Sequence, residues 1–225
     1  MPITGAWVSP WVLLGIGGLA WSMRYSFHNI DVQFSTFFDV LFYLLAGWCI
    51  ASGHLKWIVP VTLFAALNRE TSALIPVLLL CMSLFAMEAG ARRRVLPLAL
   101  IATAIYVVVF VGLRASYGPQ ELLLAEGHSM GFDLLRYNLL RSTTWSELLV
   151  CLGVVPIAAL CSYRHWPLQL RVSFWTIVPL WLVVHTLAAV LAEARLLLVP
   201  QALVFIPGAL FALGTTAPSV SRTET

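Results

Sequence analysis

From Val172 to Leu213 the sequence carries a single charged point, Glu193–Ala194–Arg195, in a run that would measure about 63 Å as one helix at 1.5 Å per residue. A bilayer's hydrocarbon core is about 30 Å thick, so such a run must turn, and the charged point is where it turns. Lipid admits only helices or closed barrels, because every backbone N–H and C=O must be satisfied within the protein. A barrel would show alternating segments of about ten residues. The apolar runs here are long and continuous, so the chain reads as helical. Composition agrees: charged residues make up 10% of the 225 residues and mean hydropathy is +0.91, against roughly 25% charged in soluble domains.

The expected fold is all-α, a polytopic transmembrane bundle of about eight helices with short loops. Spans are expected over Ala6–Met23, Thr36–Ser52, a short stretch around Trp57–Leu67, Ala73–Met87, Val95–Leu113, Leu148–Ser162, and two in Val172–Leu213. Residues 1–213 form one transmembrane domain, with 214–225 as a mobile cytoplasmic tail. Residues 114–147 are the one long connection, expected outside the cytoplasm. Within it, Phe132, Leu135 and Leu139 share a face, which predicts a surface helix over Gly131–Leu140. Thr144–Trp145–Ser146–Glu147 fits a capping box opening the next helix at Leu148.

Placing the compact loop Arg92–Arg93–Arg94 in the cytoplasm also puts Lys56, Arg164, Arg171 and both termini there. Most carboxylates then fall on the other side. The net charge of +3 suits anionic headgroups and makes no case for nucleic acid. Cys49, Cys81, Cys151 and Cys161 lie in apolar runs without ligand spacing, which argues against disulfides and a zinc site. Gly15–Ile16–Gly17–Gly18–Leu19–Ala20 matches a dinucleotide fingerprint but has no βαβ context; small residues in an apolar helix serve close helix packing.

Ionisable groups at membrane depth are costly and point to function or to a partner. Asn68–Arg69–Glu70–Thr71–Ser72 separates two apolar helices without Gly or Pro. Arg69 suits an anionic headgroup, phosphate or pyrophosphate, through its planar fork, with Asn68 and Glu70 beside it. Alternatively, this is a helical hairpin whose charges pair locally. Glu193 and Arg195 repeat the theme on the same side; two apart, they do not share a helix face, which invites a cross-pair of Arg69 with Glu193 or of Glu70 with Arg195. His28, Asp31 and Asp39 lie on that side too, and Asp39 sits inside an apolar stretch. His185 is expected to bond a backbone carbonyl of a neighbouring helix. Nothing in the spacing requires a metal.

At these residues a resemblance enters. A helix with an early Asp (Asp39), a basic turn with Lys56, a second helix and then Leu67 to Ser72 resembles part of the polytopic glycosyltransferase C superfamily and related bacterial membrane proteins. Glu193–Ala194–Arg195 before an apolar helix with Pro200 adds to the likeness, which covers Asp31–Met87 and Leu191–Phe211. It implies a bacterial inner-membrane enzyme taking sugar from a polyprenyl-phosphate donor at the outer face. Asp31 or Asp39 would be the general base, and His28, Asn68, Arg69, Glu70, Glu193 and Arg195 would bind substrate. Superfamily members are usually larger and carry a catalytic carboxylate in a big first external loop that is missing near the start here. The chain then corresponds to the C-terminal part of a longer ancestor, or to a reduced form using Asp31. The reading from another class is a non-catalytic multi-pass protein, a transporter or flippase component or assembly partner. In it the charged pairs are structural.

Overall fold

The computed structural model describes residues 10–26, 34–118 and 127–216, and among these it is all-helical. The helices are α1 (Pro10–Ser26), α2 (Phe34–Ser52), α3 (Ile58–Asn68), α4 (Leu74–Phe85), α5 (Ala89–Tyr117), α6 (Phe132–Leu140), α7 (Ser142–Leu152), α8 (Val155–Cys161), α9 (Leu168–Ala188), α10 (Leu198–Pro200) and α11 (Ile206–Thr216). Short 3-10 turns at Leu55–Trp57, Glu70–Ala73, Tyr163–His165 and Ala194–Leu197 connect several of them, and a π-helical stretch, Gln201–Phe205, joins α10 to α11.

Among the described residues, three segments are long and apolar enough to cross a membrane: Ser35–Ser52, Ala89–Tyr117 and Leu168–Ala188. The pair α7 and α8, bent by 70°, makes a fourth if counted as one span. Gly153, at φ +58° between them, supplies the left-handed backbone that ends α7. The remaining apolar helices, Val12–Arg24, Leu55–Asn68, Glu70–Phe85 and Arg195–Phe211, are shorter. By length and composition, the described residues carry three to four candidate membrane spans, as a helical membrane protein would. Only 17% of the α5 span is buried, and Val107, Val108 and Val111 stand exposed on it. Apolar side chains on both the inner and outer faces of a helix are what lipid contact requires.

α2 runs away from its first turn, and a turn at Gly53 (φ +76°) sends α3 back beside it. α4 and α5 form a second hairpin, and α3 packs on the first half of α5, where Val95, Ala99 and Ala102 are buried. α9 lies against α4, ending near Tyr43 of α2, where the Tyr43 and Trp181 rings meet edge to face at 5.5 Å. The last helices return beside α1 and α2. A Cβ on Gly47 would stand 2.8 Å from Leu203 Cδ1, and one on Gly15 would stand 3.1 Å from Leu210 Cδ1. The glycines therefore allow the close helix packing read from the sequence, although Gly17 faces open space.

Several boundaries differ from the sequence reading. Ala91–Arg94 belongs to the first turns of α5 rather than to a loop, since nothing breaks the helix before Val95. α7 starts at Ser142, so Thr144 lies inside it, fully buried, and its hydroxyl has no hydrogen-bond partner among the described residues. No capping box forms there. The surface helix is present as Phe132–Leu140, but it buries Leu134 and Asn138. Phe132 and Leu139, on the expected apolar face, are exposed.

Candidate functional site

The start of α2, the tip between α3 and α4, and the end of α9 converge at one end of the bundle. Arg69 breaks the helix there because its backbone is fully extended (φ −155°, ψ 153°). Its carbonyl accepts the Ser72 hydroxyl at 2.6 Å, which starts the 3-10 turn leading into α4. The polar block thus makes a tight reversal without Gly or Pro by using Ser72 as a local cap.

Asp39, one turn into α2, is 1% exposed and collects the tip's donors. Asn68 Nδ2 donates to Asp39 Oδ1 at 2.9 Å and to the Ser35 carbonyl at 2.7 Å. Thr71 Oγ1 donates to Asp39 Oδ2 at 3.3 Å, and Arg69 Nη1 pairs with that oxygen at 3.4 Å. Arg69 Nη1 also donates to Thr36 Oγ1 at 3.3 Å. Tyr43 Oη donates to the Thr71 carbonyl at 2.5 Å. Asp39 is therefore enclosed by the tip, whereas the Arg69 side chain keeps 23% of its surface exposed. Chemically, the carboxylate and Thr36 engage the guanidinium through Nη1, while the side chain as a whole stays partly exposed.

Tyr106 Oη donates to the Glu70 carbonyl at 2.8 Å, so the tip lies level with Tyr106 of α5. Residues 107–117 of α5 continue past it by about 16 Å at 1.5 Å per residue, carrying the exposed valines. The Asp39–Arg69 pair is recessed below the end of an apolar helix. Glu70 pairs with Arg114 of that extension, both largely exposed.

The expected cross-pairs of Arg69 with Glu193 and of Glu70 with Arg195 do not form. Arg195 is buried, and its Nη2 meets Glu193 Oε2 at 2.8 Å. Helical spacing would send residues two apart to different faces, but Glu193 precedes the 3-10 turn Ala194–Leu197 and its backbone is not helical. His185 bonds the Trp181 carbonyl of its own helix at 2.8 Å rather than a neighbour's, and stacks on Trp181 at 4.8 Å. Trp181 Nε1 in turn donates to the Leu196 carbonyl at 2.6 Å, fastening the Arg195 turn to α9. His28 and Asp31 lie outside the described residues. Among the described residues, no group of three His, Cys, Asp or Glu side chains could hold a metal.

A second polar feature went unread in the sequence. A cavity of about 420 Å³ on α6 is lined by His128, Asp133, Arg136 and Arg141 around Tyr137. The Ser129 backbone N–H, and after it the His128 ring, hold the Asp133 carboxyl below its ordinary value. Its signal in the sequence is the i, i+3 spacing of Asp133 and Arg136, which places both on one face of α6.

No protein-family model, curated protein or solved structure matches the chain.

Proposed function

We propose that the Arg69 end is a binding site for the phosphate of a lipid-linked substrate, in a protein that transfers sugar from a polyprenyl-phosphate donor. The observation that carries the reading is the asymmetry of the central pair: Asp39 is enclosed while Arg69 is partly open, within the depth of the apolar α5. An arginine held in that way offers two parallel N–H bonds to a phosphate where water is scarce. The resemblance to the glycosyltransferase C superfamily supplies the reaction. Because Asp39 is enclosed by Asn68, Thr71 and Arg69, it serves here as the positioning group for Arg69. Asp31 is then the general base, and Asn68, Glu70, Glu193, Arg195 and His28 frame the substrate. In this proposal the four shorter apolar helices also cross the bilayer, giving eight crossings, with locally thinned lipid around them. The Arg92–Arg94 end lies in the cytoplasm of a bacterial inner membrane, and the Arg69 end faces outward.

A second reading has a specific observation behind it. Three described carboxylates at this end already have a cationic partner: Asp39 with Arg69, Glu70 with Arg114, Glu193 with Arg195. That pattern suits a non-catalytic membrane protein with structural pairs. Radiolabelled sugar transfer from polyprenyl-phosphate donors in membranes separates the two, comparing wild type with Arg69→Ala and Asp31→Ala at equal expression. Loss of transfer in both variants supports the enzyme. Absence of transfer from every donor, with both variants stably inserted, overturns it.

A further inference from the structure

At the end opposite Arg69, α4 and α9 leave a groove of about 650 Å³ between them. Val77, Cys81 and Phe85 of α4 form one wall, and Arg171, Trp175 and Leu180 of α9 form the other. From Arg171 to Leu180, α9 rises about 14 Å at 1.5 Å per residue, close to one leaflet of a 30 Å core. The groove is apolar along its length and basic at its mouth.

The cation at the mouth is fixed in place. Arg171 is half-buried, and its Nε donates to the Trp166 carbonyl at 3.0 Å. Arg92 Nε and Nη2 donate to the Ser83 and Leu84 carbonyls at 3.1 and 2.8 Å, at the end of α4 beside Phe85. Arg164 stands exposed on the adjoining 3-10 turn. Among the described residues, no carboxylate pairs with any of the three. Trp175 is 63% exposed and its Nε1 donates to Tyr163 Oη at 2.7 Å, an amphipathic ring pair of the kind that sits at headgroup level.

We propose that this groove holds an acyl chain of an anionic glycerophospholipid, with its phosphate on Arg171. Hydrocarbon is what surrounds a crevice between membrane helices, so a chain of some lipid occupies the apolar part. The unpaired Arg171 then selects a headgroup with net negative charge over a zwitterionic one. Each basic residue near a headgroup favours the anionic lipid by about fivefold. This site is independent of the one at Arg69 and stands whether or not the chain transfers sugar.

The test is native mass spectrometry of the full chain, released from nanodiscs made of equal parts phosphatidylglycerol and phosphatidylcholine. Thermal unfolding midpoints establish that each variant is folded. The wild type should retain phosphatidylglycerol at least fivefold over phosphatidylcholine. Arg171→Gln should bring the ratio close to one, Arg171→Lys should keep most of it, and Val77→Trp should expel both lipids from the groove. Equal retention of the two lipids by wild type overturns the proposal. So does an unchanged ratio in folded Arg171→Gln, or a lipid-free second copy of the chain held against α4 and α9.

Discussion

Replacing Asp39 with Ala leaves the Arg69 guanidinium with Thr36 alone and Asn68 with the Ser35 carbonyl alone. Removing one partner of a buried pair costs about 3–5 kcal/mol, mostly because the remaining charge is uncompensated. Arg69 retains 23% exposure and so regains some hydration, which places the expected cost at the lower end, about 3 kcal/mol. Arg69→Ala strands Asp39 in turn, although Asn68 and Thr71 still donate to it. The double variant strands neither charge, so it should cost about 1–2 kcal/mol less than the sum of the singles. Reversible unfolding in mixed detergent micelles measures all four corners of this cycle. A cost for Asp39→Ala below about 0.5 kcal/mol, or strictly additive singles, would refute the reasoning that the pair is a buried, mutually dependent unit.

Other consequences follow from packing and polar joints. A Cβ on Gly208 would stand 2.7 Å from Trp166 Cε2, in a ring that is 1% exposed and fastened through Nε1 to Ser162 Oγ at 2.8 Å. The rigid indole cannot withdraw, so Gly208→Ala should destabilise by about 1–3 kcal/mol in the same unfolding assay, and a neutral result would contradict the packing. Gln201 is fully buried and donates to Ser22 Oγ at 3.3 Å and the Leu152 carbonyl at 3.2 Å, while its Oε1 has no partner among the described residues. Gln201→Leu loses two weak bonds and relieves an unpaired acceptor, so its net cost should stay under about 1 kcal/mol, with a loss above about 2 kcal/mol as the contrary result. The Asp133 carboxyl is held below its ordinary value of 3.8, first by the Ser129 N–H. A depressed acid contributes order that is fully present above that value and is lost as pH falls through the folded one. Hydrogen exchange at Ser129 and Leu134 should therefore quicken only below about pH 3.8, and Asp133→Asn should show the quickened rate at neutral pH.

The membrane class was legible because it rests on totals: a tenth of the chain charged leaves too little polar surface for water. The hairpin tip at Arg69 was legible as well, since Asn68–Arg69–Glu70 cannot lie inside a continuous lipid-facing helix. Partner choice was not. Asp39 lies roughly thirty positions before Arg69, and their meeting depends on the Gly53 turn returning α3 along α2. Arg114 was read as the start of a loop, yet α5 continues helical and brings it over Glu70. The Glu193–Arg195 pair was missed because a helical period was assumed where the backbone is not helical. The count of about eight crossings came from apolar runs alone; by length, three segments suffice among the described residues, or four with the bent pair.

The most direct test of the central claim is binding of a polyprenyl phosphate to the purified chain, followed by native mass spectrometry, in wild type and Arg69→Gln. The account predicts that wild type retains the lipid phosphate and that folded Arg69→Gln loses at least tenfold in affinity, about 1.4 kcal/mol, while retention of the corresponding uncharged polyprenol is the same in both. Equal retention of the phosphate by the two proteins would contradict it.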